Sequence, residues 1–191
     1  MRKQPEVTEQ TKANLRTAFW ELYKEKPIEK ITIKEITDAA GYNRGTFYLY
    51  YKDVYDLFNK IEEELLEAIR ELIDETLLRD EQLNLTEHMG LILEMTRRYS
   101  DYVSVLMSDK GDPAFVTRLK SLIWPLLDSY FLGEQGHSPQ ELTLLSEFYL
   151  SGLLAAITKW LENPGDMTID QFINFIMENV FMALFQVQGN V

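Results

Sequence analysis

The chain has 191 residues, 46% of them apolar and 26% charged, with six prolines, nine glycines and no cysteine, which is the composition of a folded globular protein of one or two small domains. Without cysteine there is no disulfide framework, zinc–thiolate site or thiol nucleophile, and a cytoplasmic setting is expected; the polar start lacks the apolar core of an export signal, and no run reaches the roughly 18 uninterrupted apolar residues of a membrane span. The 31 acidic and 19 basic residues leave a net charge of −12, which taken whole argues against nucleic acid, whose phosphates favour cationic partners.

Apolar residues recur at spacings of three and four, with no alternating run bounded by hairpin turns, so the fold class expected is all-α. The first helix runs from about Thr8 to Glu25, with Leu15, Ala18, Phe19 and Leu22 on one face and Pro27 after it. Thr32 and Glu35 form a capping box that opens a short second helix with Ile33, Ile36 and Ala40 inward. Gly41 stands where a left-handed stop is needed, and Asn43 caps a third helix from Arg44 to Tyr50. Asp53 and Asp56 open a fourth, in which Val54, Leu57, Phe58, Ile61, Leu65, Ala68 and Leu72 follow a helical stripe. Ending near Arg79, that helix is roughly 40 Å long and joins the first module to the rest without a flexible linker.

A fifth helix is expected from Thr86 to Met107. Asp112 and Pro113 then start a sixth that reaches about Leu132 and is bent or broken near Pro125. Ser138, Pro139 and Glu141 combine a capping box with a first-turn proline, starting a seventh helix that ends at Glu162 before Asn163–Gly165. A further box, Thr168 with Gln171, opens the last helix, to about Gln186. Between Phe172 and Phe185 eleven of fourteen residues are apolar, and a helix apolar on nearly every side must be covered on nearly every side. The preceding helix covers one side. A second copy of the pair covers the other, so a two-fold four-helix homodimer interface is expected from Leu145, Tyr149, Gly152, Leu153, Ala156 and Trp160 with Phe172, Ile176, Val180 and Leu184. The alternative is a monomeric core centred on the last helix.

The net charge hides two signs. Through residue 52 there are ten basic and seven acidic residues, +3; beyond it there are nine and 24, −15. Such asymmetry separates a module that touches an anion from an acidic body with another task. The module contains a helix-turn-helix: a support helix, a glycine turn, then a helix able to enter a major groove. Phe47 and Tyr51, four apart, face the core, which leaves Arg44, Thr46, Tyr48 and Tyr50 on other faces. Gly45 allows close backbone approach, Tyr48 and Lys52 reach phosphate, and Thr32 and Lys34 offer amides and charge to a second phosphate.

At these residues, Thr32 through Lys52, the chain resembles the TetR family of bacterial transcriptional regulators, including that family's Gly-Thr-aromatic-Tyr core at Gly45–Tyr48. The resemblance implies an N-terminal three-helix DNA-binding domain (residues 1–52, continuing into helix four to about 60) on an all-helical body (53–191) that binds an effector and dimerises through its final two helices. It further implies a repressor that binds a palindromic double-stranded operator as a homodimer and is released by an unknown small molecule. Arg44 and Thr46 are then expected at base edges, and Asn43, Gly45, Tyr48, Tyr50, Lys52, Thr32 and Lys34 complete the DNA-binding set. Four positions depart from the family pattern: Tyr50-Tyr51 replaces His-Phe, Thr37 replaces alanine, and Val54 replaces a second lysine.

Candidates for lining an effector pocket are Met95, Tyr99, Tyr102, Met107, Phe115, Trp124 and Phe148, because aromatic and methionine side chains suit adaptable apolar sites. Catalysis has little material. Glu134 and His137 have a metal-ligand spacing, but the pair is single and sits in a glycine- and proline-rich loop, so no enzyme activity, metal, cofactor or membrane partner is expected. A helical regulator acting through a protein partner, with no effector, is the rival reading.

Overall fold

The computed structural model describes residues 5–74, 98–108, 111–127, 136–176 and 178–179, and every regular element among them is helical. Two compact units divide after Leu65. The first holds α1 (Pro5–Glu25), a single 3-10 turn (Ile28–Lys30), α2 (Ile33–Ala40), α3 (Arg44–Tyr48) and the start of α4 (Val54–Leu72). Leu15, Phe19, Ile36, Phe47 and Leu57 are its fully buried centre. Around them the Tyr23 ring lies 5.6 Å from that of Phe19 and 5.0 Å from that of Phe58.

Local chemistry fixes the element ends. Thr32 caps α2 by accepting from the Glu35 amide, and the Glu35 carboxylate accepts in return from the Thr32 amide at 3.0 Å. Gly41 ends α2 at φ +74°, the left-handed region that a Cβ disfavours. Thr37 is buried, and its hydroxyl donates to the Ile33 carbonyl at 2.9 Å. A threonine therefore replaces the expected alanine without leaving a polar group unsatisfied. Val54, where a lysine was expected from the family pattern, is 8% exposed and packs inward at the start of α4.

The second unit holds α5 (98–106), α6 (Pro113–Leu127), α7 (Pro139–Glu162) and α8 (Ile169–Ile176). Asp112 caps α6 through the Ala114 amide at 2.8 Å, Ser138 and Glu141 cap α7 reciprocally, and Thr168 and Gln171 do the same for α8. Pro125 does not break α6, which runs on to Leu127. Trp160 stacks on Phe172 with centroids 4.9 Å apart and donates from Nε1 to the Met167 carbonyl at 3.2 Å, closing the turn between α7 and α8.

Two residues of the expected dimer face are buried within this chain. Phe172 and Ile176 form this chain's own core with Leu150, packed by Ile123, Trp124 and Leu153. Among the described residues of this unit, the large apolar side chains left outside are Leu144, Phe148, Met167 and Phe175. By length and composition α7 is apolar enough to cross a bilayer, yet little of it is covered within the chain. Val180, Leu184 and Met95 lie outside the described residues, as do the expected extensions of the fourth, sixth and last helices and most of the fifth.

Candidate nucleic-acid interface

The reading helix is short and rigidly mounted. Asn43 Oδ1 accepts from the Thr46 amide at 2.9 Å and from its hydroxyl at 3.3 Å, so Asn43 acts as the cap of α3. Phe47 is fully buried and Tyr51 nearly so. That inward pair turns Arg44, Gly45, Tyr48 and Leu49 to solvent and leaves Thr46 and Tyr50 half-buried. Behind the helix, Arg16 donates from Nε to the Tyr51 hydroxyl at 3.3 Å and pairs with Glu64, which ties α1 to α4 and to the segment that follows α3. Burial pushes the Tyr51 phenol above its ordinary pKa, so it stays protonated at neutral pH.

The chain after α3 is held as firmly. Lys60 Nζ donates to the Tyr50 carbonyl at 2.9 Å and to Asp56 at 3.1 Å, and lies 5.1 Å from the Tyr51 ring centroid. Asp53 accepts from the Asp56 amide at 2.8 Å, while Asp56 accepts from the Lys52 amide at 2.9 Å. The Lys52 amide bond, with Lys60 beside it, holds the Asp56 carboxyl below its usual pKa. The backbone of Lys52 is thus fixed and its side chain is exposed at the start of α4.

At α2 the Thr32 side chain and amide are engaged within the chain. The Thr32 hydroxyl and amide both donate to Glu35, at 2.8 and 3.0 Å, and Lys26 bonds the same carboxylate. Those bonds, Lys26 first, lower the Glu35 pKa from 4.5 to about 2. The Thr32 amide is therefore committed to a side-chain anion and is not presented to phosphate. Lys34 is exposed and pairs with Asp38 at 2.7 Å, a surface contact weak enough to exchange for phosphate.

Gly45 serves twice. A Cβ there would stand 3.1 Å from Asn43 Oδ1, so the glycine protects the cap as well as allowing close approach. Sequence reasoning missed Leu49, 65% exposed at the C-cap of α3. Its signal was positional: Gly45, Tyr48 and Leu49 stand at i, i+3 and i+4, on one helical face.

The described residues of the expected pocket set differ in burial. Tyr99 and Tyr102 are half-buried on α5, Phe115 is fully buried, Trp124 packs on the Leu150 core, and Phe148 is 74% exposed. A groove of about 340 Å³ lined by Val116, Lys120, Ser151 and Leu154 includes only Met107 of the set.

Residues 15–61 match the family described as bacterial regulatory proteins, tetR family, and residues 83–181 match a transcriptional regulator C-terminal region. The HTH-type transcriptional regulator YxbF of Bacillus subtilis is 26% identical over 105 residues, which are 53% of this chain and only 28% of that relative. Among solved structures, a TetR transcriptional regulator from Streptococcus agalactiae aligns over 92% of this chain and 96% of its own, at 23% identity and TM-score 0.64. The fatty acid degradation regulator FadR from Bacillus halodurans aligns over 96% of each chain, at 18% identity and TM-score 0.60. NalD, the secondary repressor of a multidrug efflux pump in Pseudomonas aeruginosa, aligns over 95% of this chain and 96% of its own, at 20% identity and TM-score 0.60. At these identities the structural likeness is one of fold.

Proposed function

This chain is a DNA-binding transcriptional regulator of the TetR family, and from that premise we propose that it is a cytoplasmic repressor that binds a palindromic operator as a homodimer and leaves it when a small molecule binds. The observation that carries the reading is the fixed mount of α3, which turns Arg44, Gly45 and Tyr48 outward within the segment through residue 52, whose net charge is +3. Arg44 and Thr46 take base edges, Thr46 through the acceptor capacity its hydroxyl retains. Tyr48, Tyr50, Lys52 and Lys34 take phosphates, while Asn43 and Gly45 hold the helix and its clearance, with Thr32 in support.

The dimer reading rests on exposed apolar surface. Leu144, Phe148 and Phe175 are 64%, 74% and 49% exposed on α7 and α8, and Gly152 on the same exposed stripe of α7 lets a second helix approach. Leu145, Tyr149, Leu153, Ala156 and Trp160 flank that stripe. Two heads on one two-fold axis then meet successive major grooves about 34 Å apart. An effector needs only a few kcal/mol of preference for the unspaced form to release the operator. Its site belongs to the acidic body, where Tyr99, Tyr102 and Met107 remain the candidate lining. Selection of bound fragments from random double-stranded DNA tests the reading: a two-fold symmetric motif is expected, and recovery of no motif, or of an asymmetric one, contradicts it.

A further inference from the structure

The exposed apolar residues of the first unit raise a question that the polar reading set does not answer. Among its described residues the large apolar side chains left in solvent are Val7, Tyr48, Leu49 and Tyr55. Tyrosine carries a hydroxyl that water or phosphate can satisfy; leucine carries nothing polar. Leu49 is the most exposed of the four, at 65%, and it shares the outward face of α3 with Gly45 and Tyr48.

Its position is fixed. The Leu49 amide donates to the Thr46 carbonyl at 3.3 Å, the two following amides donate to the Phe47 carbonyl at 3.0 Å, and Lys60 holds the Tyr50 carbonyl. Leu49 stands at the C-cap in ordinary right-handed geometry, φ −70° and ψ −22°, so the backbone neither swings nor strains to place it. A leucine held rigidly in water on a face otherwise suited to hydrogen bonding loses solvation free energy unless an apolar surface meets it. In the major groove that surface is the 5-methyl group of thymine, which alone among the base-edge groups offers no hydrogen bond.

We infer that Leu49 is a specificity-determining residue that reads a thymine 5-methyl group in each operator half-site. The inference rests on the proposed entry of α3 into the major groove, and adds an apolar contact beside the polar ones of Arg44 and Thr46. It differs from them in one measurable respect: the contact depends on a methyl group and on no hydrogen-bonding atom, so deoxyuridine removes it while leaving base pairing and the donor–acceptor pattern unchanged.

The test uses the full chain and the fragment recovered by selection from random DNA, resynthesised with deoxyuridine in place of each thymidine in turn. Wild type is expected to lose roughly fourfold in affinity at one symmetry-related thymine per half-site, and roughly 15-fold when both are replaced. Leu49→Ala is expected to bind the thymine and uracil fragments alike, with an unchanged melting temperature because the side chain is exposed. Uracil at every position without effect on wild type overturns the inference, as does a Leu49→Ala protein that loses as much as wild type at the same thymine. Either result leaves the operator reading standing, whereas recovery of no motif by wild type overturns both.

Discussion

Arg44 and Lys52 are both exposed cations of the first unit, and the account gives them different tasks. Lys52 sits at the start of α4 with its backbone fixed by Asp56, suited to a phosphate that is the same in any sequence. Lys52→Ala should weaken binding to selected and scrambled DNA alike and reduce the salt slope by about one. Arg44→Ala should cost about 1–3 kcal/mol on the selected fragment and much less on a scrambled one; parallel losses for both variants on both fragments would contradict the assignment. Which residues turn outward was legible in the sequence, because Phe47 and Tyr51 at i and i+4 define the inner face. What Thr32 does was not. Its capping box was visible, but Lys26 joining the same carboxylate and the full engagement of the Thr32 amide depend on the path between α1 and α2, which no spacing rule supplies.

At the scale of elements, caps and stops were the most legible features, since they are made by residues three or four apart. The two glycines around α3 separate backbone conformation from space. At Gly41 a Cβ meets nothing within 4 Å, but φ is +74°, so Gly41→Ala should lower stability by roughly 1–2 kcal/mol, read as a fall in melting temperature. At Gly45 φ is ordinary and the Cβ crowds Asn43 Oδ1, so Gly45→Ala should weaken DNA binding more than it lowers melting. Glu35 carries a pH signature. Its folded pKa of about 2 lies below the ordinary 4.5, so its contribution to stability is fully present above about pH 4.5 and is lost as pH falls toward 2. Glu35→Gln should therefore be less stable than wild type at neutral pH and converge on it through that interval in denaturant titrations; a constant gap would contradict the assigned bonds. The 3-10 turn at Ile28–Lys30 and the survival of α6 past Pro125 were not legible, because both depend on where the neighbouring helices place the backbone.

The whole molecule explains why the last two helices were only half legible. Their apolar excess showed that two sides need covering, but periodicity does not say which side faces the chain's own core. Packing assigns Phe172 and Ile176 inward and leaves Leu144, Phe148 and Phe175 outside. Phe148→Glu should accordingly give a folded monomer in sedimentation, and a dimer of wild-type stability would contradict the proposed interface. The net charge of −12 is resolved along the chain, as an acidic body repelled by DNA and a basic segment, through residue 52, drawn to it. Binding should therefore be steeply salt-dependent, with little affinity for random sequence. The central claim is that two such units read two grooves at one fixed spacing. The direct measurement is affinity for the selected palindrome against the same half-sites moved apart by about five base pairs, half a helical turn. Loss of specific binding to the shifted site is the predicted result, and equal affinity for both would contradict the account.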